Sequence, residues 1–137
     1  MSRLVSWHEK RAEKGNVFVQ HHLGNLYYKG QGVKKDFKKA FFYFEQAANQ
    51  GYFKSQYKLA DMYYYGNGVE KNYRKAFELY EKSANQDYHD AQYKLGEMYY
   101  KGEGIEKDLE KARYWLEKLK EQNNSLAKQM LEKMGKN

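Results

Sequence analysis

The stretch that decides the fold reads FKSQYKLADMYYYGNGVEKNYRKAFELYEKSANQDY at residues 53–88. The next segment, HDAQYKLGEMYYKGEGIEKDLEKARYWLEKLKEQNN at residues 89–124, matches it at 16 of 36 positions without a gap. The same spacing extends towards the N-terminus, because Leu23 stands 36 residues before Leu59, which stands 36 before Leu95. A fixed period of this length is the signature of a protein built from tandem structural repeats.

Each repeat predicts two helices joined by a tight turn. In the middle repeat we expect a helix over residues 55–65 that carries Leu59, Met62 and Tyr63 on its core face. It should end at Gly66, a residue suited to a left-handed helix end. Short polar side chains that can cap a helix N-terminus precede the second helices, at Asp36, Asn72 and Asp108. The second helices should end at residue types that tolerate positive φ, namely Gly51, Asp87 and Asn123.

Two glycines lie inside predicted first helices, at Gly24 and Gly96. A glycine in a helix interior costs about 1 kcal/mol relative to alanine, so another requirement must select it. We expect the second helix of the same repeat to cross closely at these positions.

The ends of the chain continue the period in modified form. Leu4 and Trp7 are in register with Ala40 and Tyr43, whereas the apolar positions that follow are replaced by polar residues, as expected for a terminal repeat without an outer neighbour. At the other end, Leu131 continues the leucine series. The predicted organisation is a single domain of about eight helices spanning residues 1–137, with a half repeat at 1–16, full repeats at 17–52, 53–88 and 89–124, and a capping helix at 125–137.

The repeat resembles the Sel1-like repeat, a relative of the tetratricopeptide repeat. The third repeat carries the landmarks Ala91, Leu95, Gly96, Tyr99, Gly102, Gly104, Ile105, Asp108, Lys111, Ala112 and Trp115. The chain departs from that pattern at Val19 and Ser55, where the family has alanine, and at Tyr43 and Leu79, where it has tryptophan. The resemblance implies an all-α, right-handed α-solenoid of helix-turn-helix repeats. It also implies an adaptor role in protein complexes, and some bacterial relatives act in host interaction or as immunity proteins.

Composition narrows the class of protein further. The chain has no cysteine, which excludes a disulfide scaffold and cysteine-based metal sites. Its N-terminus has no apolar stretch typical of a signal peptide and no segment long enough to span a bilayer, so we expect a cytoplasmic protein. The net charge of +7 is compatible with nucleic acid, an anionic membrane or an acidic partner. Lysines alternate with acidic residues, however, which is typical of a solvated surface.

A partner is expected on the first helices, which line the concave face of helix-pair solenoids. Aromatic and charged positions recur there in rows, and tyrosine is enriched at protein interfaces. The predicted contact residues are His21, Asn25, Tyr28, Lys54, Tyr57, Asp61, Tyr64, Tyr65, Asp90, Tyr93, Glu97, Tyr100 and Lys101, with Phe18 at the start of the same face. The alternative is that the tyrosines aligned with Tyr57 and Tyr64 pack between adjacent repeats.

The charges of the surface and a second group of aromatic residues indicate what kind of partner could bind, and where. The acidic positions of the first helices favour a basic ligand, whereas the lysine-rich turns favour an acidic one. A second candidate surface lies on the second helices at Phe41, Phe42, Phe77 and Tyr114, of which Phe41 and Phe77 are better explained by burial against the neighbouring repeat.

No constellation of residues predicts catalysis, a cofactor or a metal. The histidines, His8, His21, His22 and His89, lack ligand spacing, and the Gly-x-Gly pairs follow helices rather than strands. We therefore predict a non-catalytic interaction module for a peptide or protein partner, with a bacterial immunity or inhibitor protein as one form of it. The alternative is single-stranded RNA binding by a basic, aromatic repeat surface, which the acidic groove positions disfavour. An enzyme using Asp61 and Glu97 is a third possibility, and their equivalence in the repeat explains them better.

Overall fold

The computed structural model describes residues 3–135. Over that range the chain forms eight α-helices and no strand: α1 (Arg3–Glu13), α2 (Val17–Lys29), α3 (Phe37–Asn49), α4 (Phe53–Tyr65), α5 (Tyr73–Ala84), α6 (His89–Lys101), α7 (Leu109–Lys120) and α8 (Ser125–Gly135). The predicted all-α class and helix number are confirmed. The half repeat at 1–16 and the capping helix at 125–137 extend into positions 1–2 and 136–137, which lie outside the described residues.

The helices group into two compact units, divided between Lys71 and Asn72. In the N-terminal unit α1 packs on α2, α2 on α3 and α3 on α4. In the C-terminal unit α5 packs on α6, α6 on α7 and α7 on α8. Within each unit, packing therefore runs between helices that follow one another in the chain, as tandem helix pairs require. The single-domain organisation stays a prediction.

The helix ends follow the local sequence signals. The predicted caps each accept a backbone hydrogen bond across the first turn, at 3.1 Å for Asp36 and at 3.0 Å for Asn72 and Asp108. Positive φ values occur at Gly66 (71°), Asp87 (65°) and Asn123 (62°), as their residue types predicted. Helix α4 ends beside Gly66, whereas α5 and α7 end at Ala84 and Lys120, about one turn before Asp87 and Asn123. Helix α4 begins at Phe53, two residues before the predicted start, because its N-cap is Tyr52, whose side chain makes no capping bond and gives no sequence signal.

Close helix crossings explain the buried glycines. A Cβ atom at Gly24 would lie 2.5 Å from the ring of Phe44 on α3, and one at Gly96 would lie 2.8 Å from Cγ of Leu116 on α7. Both distances are too short for a real side chain. The expectation that the second helix of the same repeat crosses at these positions is confirmed.

Buried glutamines connect α2 to α1 and α6 to α5. Gln20 donates to the carbonyl of Ala12 at 2.9 Å, and Gln92 donates to the carbonyl of Ala84 at 3.1 Å. Each bond satisfies a buried polar group and fixes the register of two helices. The apolar core of the C-terminal unit lies around Ala112, Leu116, Leu119, Ala127, Met130 and Met134.

The outer side of α1 is exposed. Leu4 and Trp7 lie in solvent, whereas Val5 and Ala12 are buried. The corresponding side of α3 faces α2, since Tyr43 stacks on Tyr27 with ring centroids 5.9 Å apart. Among residues 3–135 no first helix precedes α1, so no helix covers Leu4 and Trp7 as α2 covers the corresponding side of α3.

Candidate functional site

Helices α2 and α4 form the first-helix face of the N-terminal unit, here called the α2–α4 face. The predicted contact residues on it are His21, Asn25 and Tyr28 on α2, and Lys54, Tyr57, Asp61, Tyr64 and Tyr65 on α4. Side chains join the two helices directly. Nδ1 of His21 lies 2.8 Å from Oγ of Ser55, and Nδ2 of Asn67, in the turn after α4, donates to the hydroxyl of Tyr28 at 3.2 Å. The face is therefore held together by polar bonds between neighbouring repeats.

His21 is neutral, and its ring takes part in hydrogen bonds with Ser55 and Asn25. Its ring packs against Phe44 and Tyr52, with centroids 5.4 and 5.2 Å apart. Burial, and then the charges of Lys54, Lys58 and His22, lower the pKa of His21 to about 4. Because Nδ2 of Asn25 donates to Nε2 of His21 at 3.2 Å, Nδ1 carries the proton and donates to Ser55.

The tyrosines of the face differ in exposure. Tyr64 is 8% exposed and its neighbour Tyr65 is 56% exposed, although both belong to one turn of α4. Tyr28 is half-buried, and the ammonium of Lys58 lies 5.7 Å from its ring centroid. Tyr57, Asn25 and Asp61 are also half-buried, whereas Lys54 is exposed.

Phe18 adds a second exposed aromatic ring to the same face. It is 67% exposed and contacts the edge of Tyr52, with centroids 5.5 Å apart. The most accessible aromatic surface of the α2–α4 face therefore belongs to Phe18 and Tyr65, while Tyr64 offers little surface to a partner.

Helix α6 carries the predicted contact residues of the C-terminal unit. Asp90 and Lys101 are exposed. Tyr93 and Tyr100 are half-buried, because both pack against the apolar cluster of α7 and α8. The burial of Tyr93, and then the charge of Glu97, raise the pKa of its hydroxyl.

The acidic position on α6 is electrostatically balanced. Glu97 lies 3.8 Å from the ammonium of Lys94 and 3.7 Å from that of Lys101. These lysines offset its charge locally, so Glu97 presents a weaker attraction for a basic ligand than the sequence suggests.

The second candidate surface separates into packed and exposed residues. Phe41 is half-buried and Phe77 is buried, and their rings pack on Tyr63 and Tyr99 with centroids 5.6 and 5.3 Å apart, as expected for packing against the neighbouring repeat. Phe42 and Tyr114 remain 52% and 63% exposed on the second helices.

Sequence reasoning missed a cavity in the turn between α2 and α3. It has a volume of about 810 Å³ and is lined by Tyr27, Gly32, Val33, Lys34, Lys35, Asp36 and Lys39. The available signal was Lys34, which stands where the other two repeats have Glu70 and Glu106. No group of three or more His, Asp or Glu side chains within residues 3–135 is arranged to hold a metal ion.

Tandem helix pairs that pack on their sequence neighbours define a tetratricopeptide-like α-solenoid repeat protein. The family model of the Sel1 repeat matches residues 18–52, 53–88 and 89–124, so the chain belongs to the Sel1 repeat family. Sel1 repeat proteins generally mediate protein–protein interaction. In the described part of the chain no helix is both long and apolar enough to cross a membrane.

Solved structures of related proteins share the fold. The chain is 31% identical to c5321, a protective antigen of uropathogenic Escherichia coli strains with an SLR fold, at a TM-score of 0.91 over 94% of this chain and 28% of that one. It is 34% identical to a Sel1 repeat protein from Oxalobacter formigenes, at a TM-score of 0.84 over 96% of this chain and 99% of that one.

A more distant likeness extends to Helicobacter pylori cysteine rich protein B, with 23% identity and a TM-score of 0.68 over 92% of this chain and 90% of that one. At that identity the likeness supports the fold alone. The chain thus spans 28% of the length of c5321 and nearly the whole of the Oxalobacter protein. No curated protein sequence matches the chain significantly.

Proposed function

We propose that the protein is a non-catalytic binding module that holds a peptide or protein partner against its first helices, with the α2–α4 face as the main contact surface. The observation that carries this proposal is the exposure of Phe18 and Tyr65 on that face. Large aromatic rings left in water cost solvation free energy that a partner would recover, and such rings dominate binding energy at protein interfaces.

The polar bonds beneath these rings support the same proposal. His21 to Ser55 and Asn67 to Tyr28 connect the two helices before any partner arrives. A surface that is already ordered loses less conformational entropy on binding, which strengthens affinity without new contacts.

Charged residues would select the partner. Lys54 is exposed on the α2–α4 face, and Asp90 and Lys101 are exposed on α6. Mixed charges of this kind contribute more to specificity and association rate than to affinity. A bacterial immunity or inhibitor protein is one form of the proposed function, and a neighbouring gene for a toxin would favour it. A cytoplasmic location stays a prediction from the sequence.

A matched pair of double variants tests the proposal. Phe18→Ser with Tyr65→Ser removes one phenylalanine and one tyrosine from the first helices. Phe42→Ser with Tyr114→Ser removes the same residue types, at similar exposure, from the second helices. Tagged protein is used to capture partners from the source cells, and the affinity of the recovered partner is then measured by calorimetry.

We expect the first-helix variant to lose affinity by roughly a hundredfold, since truncated aromatic anchors cost about 2 kcal/mol or more, and the second-helix variant to bind as the unaltered protein does. Equal capture by both variants, with both folded by circular dichroism, would exclude the α2–α4 face. Capture abolished by ribonuclease would favour the RNA alternative.

A further inference from the structure

We propose that the cavity in the turn of the first repeat binds an acidic peptide segment, in which carboxylates lie beside an apolar side chain. The cavity, here called the first-turn pocket, is a site separate from the α2–α4 face. Among its lining residues Tyr27 is buried, Val33 is half-buried, and Lys34, Lys35 and Lys39 are exposed.

The corresponding turn of the third repeat provides an internal comparison. Its cavity has a volume of about 360 Å³, less than half that of the first-turn pocket, and it is lined in part by Phe77 and Tyr99. The ring of Phe77 lies against Tyr99, the counterpart of Tyr27. The position equivalent to Phe77 on α1 is Val5. The missing aromatic ring accounts for the larger space in the first turn.

The two cavities also differ in charge. Three lysines and one aspartate line the first-turn pocket, for a formal charge of +2 (three minus one). Two lysines, one glutamate and one aspartate line the third, for a formal charge of zero. The difference arises from Lys34, which replaces the glutamate present at Glu70 and Glu106.

Acidic groups near the first-turn pocket are already engaged. The carboxylate of Asp36 caps α3 by accepting from the backbone N–H of Lys39 at 3.1 Å. Glu9 does not line the pocket, and it accepts a hydrogen bond from the hydroxyl of Tyr43 at 3.2 Å. Burial first, and the charge of Glu9 second, raise the pKa of Tyr27, so that its hydroxyl stays neutral. The ammonium of Lys39 lies 5.1 Å from the centroid of the Tyr27 ring.

A short acidic peptide fits these features better than a nucleic acid does. Carboxylates would pair with the lysines, and an apolar side chain would pack on half-buried Val33. A phosphate backbone needs a positive track that continues over several nucleotides, whereas the equivalent turn positions of the other repeats carry Glu70 and Glu106. Lysines supply point charges without the fixed geometry of arginine, which suits flexible carboxylates.

The test uses the fluorescein-labelled hexapeptide EELEEL, with QQLQQL as the neutral control and octauridine as the nucleic-acid probe, in fluorescence anisotropy at low and physiological salt. We expect EELEEL to bind more tightly than either control, and the backbone amide signals of Val33, Lys35 and Lys39 to shift in NMR spectra. Lys34→Glu gives the first turn the glutamate of the other two repeats, so the variant should fold.

Matched variants separate the pocket from general electrostatics. Lys34→Glu should weaken EELEEL binding about fivefold or more, because it replaces an attraction with a repulsion. Lys38→Glu makes the same charge change at an exposed position outside the pocket and should alter affinity less than twofold. Glu106→Lys should raise the affinity for EELEEL only slightly, because Phe77 occupies the space in the third turn.

The proposal would be overturned if Lys34→Glu and Lys38→Glu lost the same affinity for EELEEL. It would also be overturned if Glu106→Lys gained as much affinity as Lys34→Glu lost, or if octauridine bound more tightly than EELEEL. The variant Phe18→Ser with Tyr65→Ser should bind EELEEL as the unaltered protein does. Failure of the first-turn pocket can therefore be distinguished from failure of the α2–α4 face.

Discussion

The α2–α4 face and the predicted contact residues of α6 occupy the same repeat positions, yet they expose different chemistry. Phe18 is equivalent to Asp90, and Tyr65 is equivalent to Lys101. The N-terminal unit therefore presents two exposed rings where the C-terminal unit presents two charges. Buried positions such as Leu23 are constrained by close packing, while exposed positions of the same repeat can vary. Under the proposed function, these exposed positions would set specificity, and the two exposed rings would make the N-terminal unit the main binding surface.

The largest effect should separate two adjacent tyrosines of the α2–α4 face. Tyr64→Ala should lower the free energy of unfolding by about 3 kcal/mol, because it removes a large buried side chain. Tyr65→Ala should change it by less than about 0.5 kcal/mol, because that ring is exposed. Urea unfolding followed by circular dichroism measures both. Similar losses for the two variants would show that both rings contribute to the core.

Glycine substitutions compare the helix crossings of the two units. Gly24→Ala should destabilise the protein by roughly 2 kcal/mol, because its Cβ would meet the rigid ring of buried Phe44. Gly96→Ala should cost about 1 kcal/mol, because Leu116 is also buried but can adjust its rotamer more readily. Thermal melts of the two variants show which substitution costs more stability. A more stable Gly24→Ala variant would mean that the gain in helix propensity outweighs the crowding.

A smaller, pH-dependent effect should be confined to the N-terminal unit. The pKa of His21 is lowered from 6.5 to about 4, so the unfolded chain binds the proton more readily. The stability that this neutral histidine contributes is therefore present above pH 6.5 and is lost as the pH falls towards 4.

The variant His21→Gln tests this pH dependence, with exposed His89→Gln on α6 as its control. Chemical unfolding between pH 4 and pH 7.5 should show a shallower loss of stability on acidification for His21→Gln than for the unaltered protein or the control. Three parallel pH profiles would contradict the assigned role of His21.

The smallest effect should come from the ion pairs on α6. Glu97→Gln removes contacts to Lys94 and Lys101 that are 3.8 and 3.7 Å long. The expected change in the free energy of unfolding is below about 0.5 kcal/mol and should decrease as salt is added, since partly exposed pairs are screened. Denaturant titrations at two salt concentrations measure it. A loss well above that value would indicate that Glu97 supports packing as well as charge.

Much of the fold could be predicted because its signals are local. The caps at Asp36, Asn72 and Asp108, and the positive φ values at Asp87 and Asn123, depend on residues within one or two helical turns. The start of α4 was predicted two residues late, because Tyr52 provides no capping side chain from which a boundary could be read.

The candidate site was less predictable, because exposure depends on residues distant in the chain. Helical spacing placed Tyr64 and Tyr65 together among the predicted contact residues, but only packing separates the buried ring from the exposed one. The ion pairs of Glu97 are a different case, because Lys94 and Lys101 are its helical neighbours on α6 and the pairing was a local signal that sequence reasoning missed.

By itself, the sequence determined the repeat length, the helix pairs, their turns and the glycines at the helix crossings. Each of these follows from backbone preferences of neighbouring residues or from periodic apolar positions. Only the tertiary structure decided that Phe18 and Tyr65 are the accessible rings of the α2–α4 face, and that a cavity of about 810 Å³ lies in the turn between α2 and α3. The physical reason is that accessibility and cavity volume arise when separate helices come into contact, and no local segment contains that information.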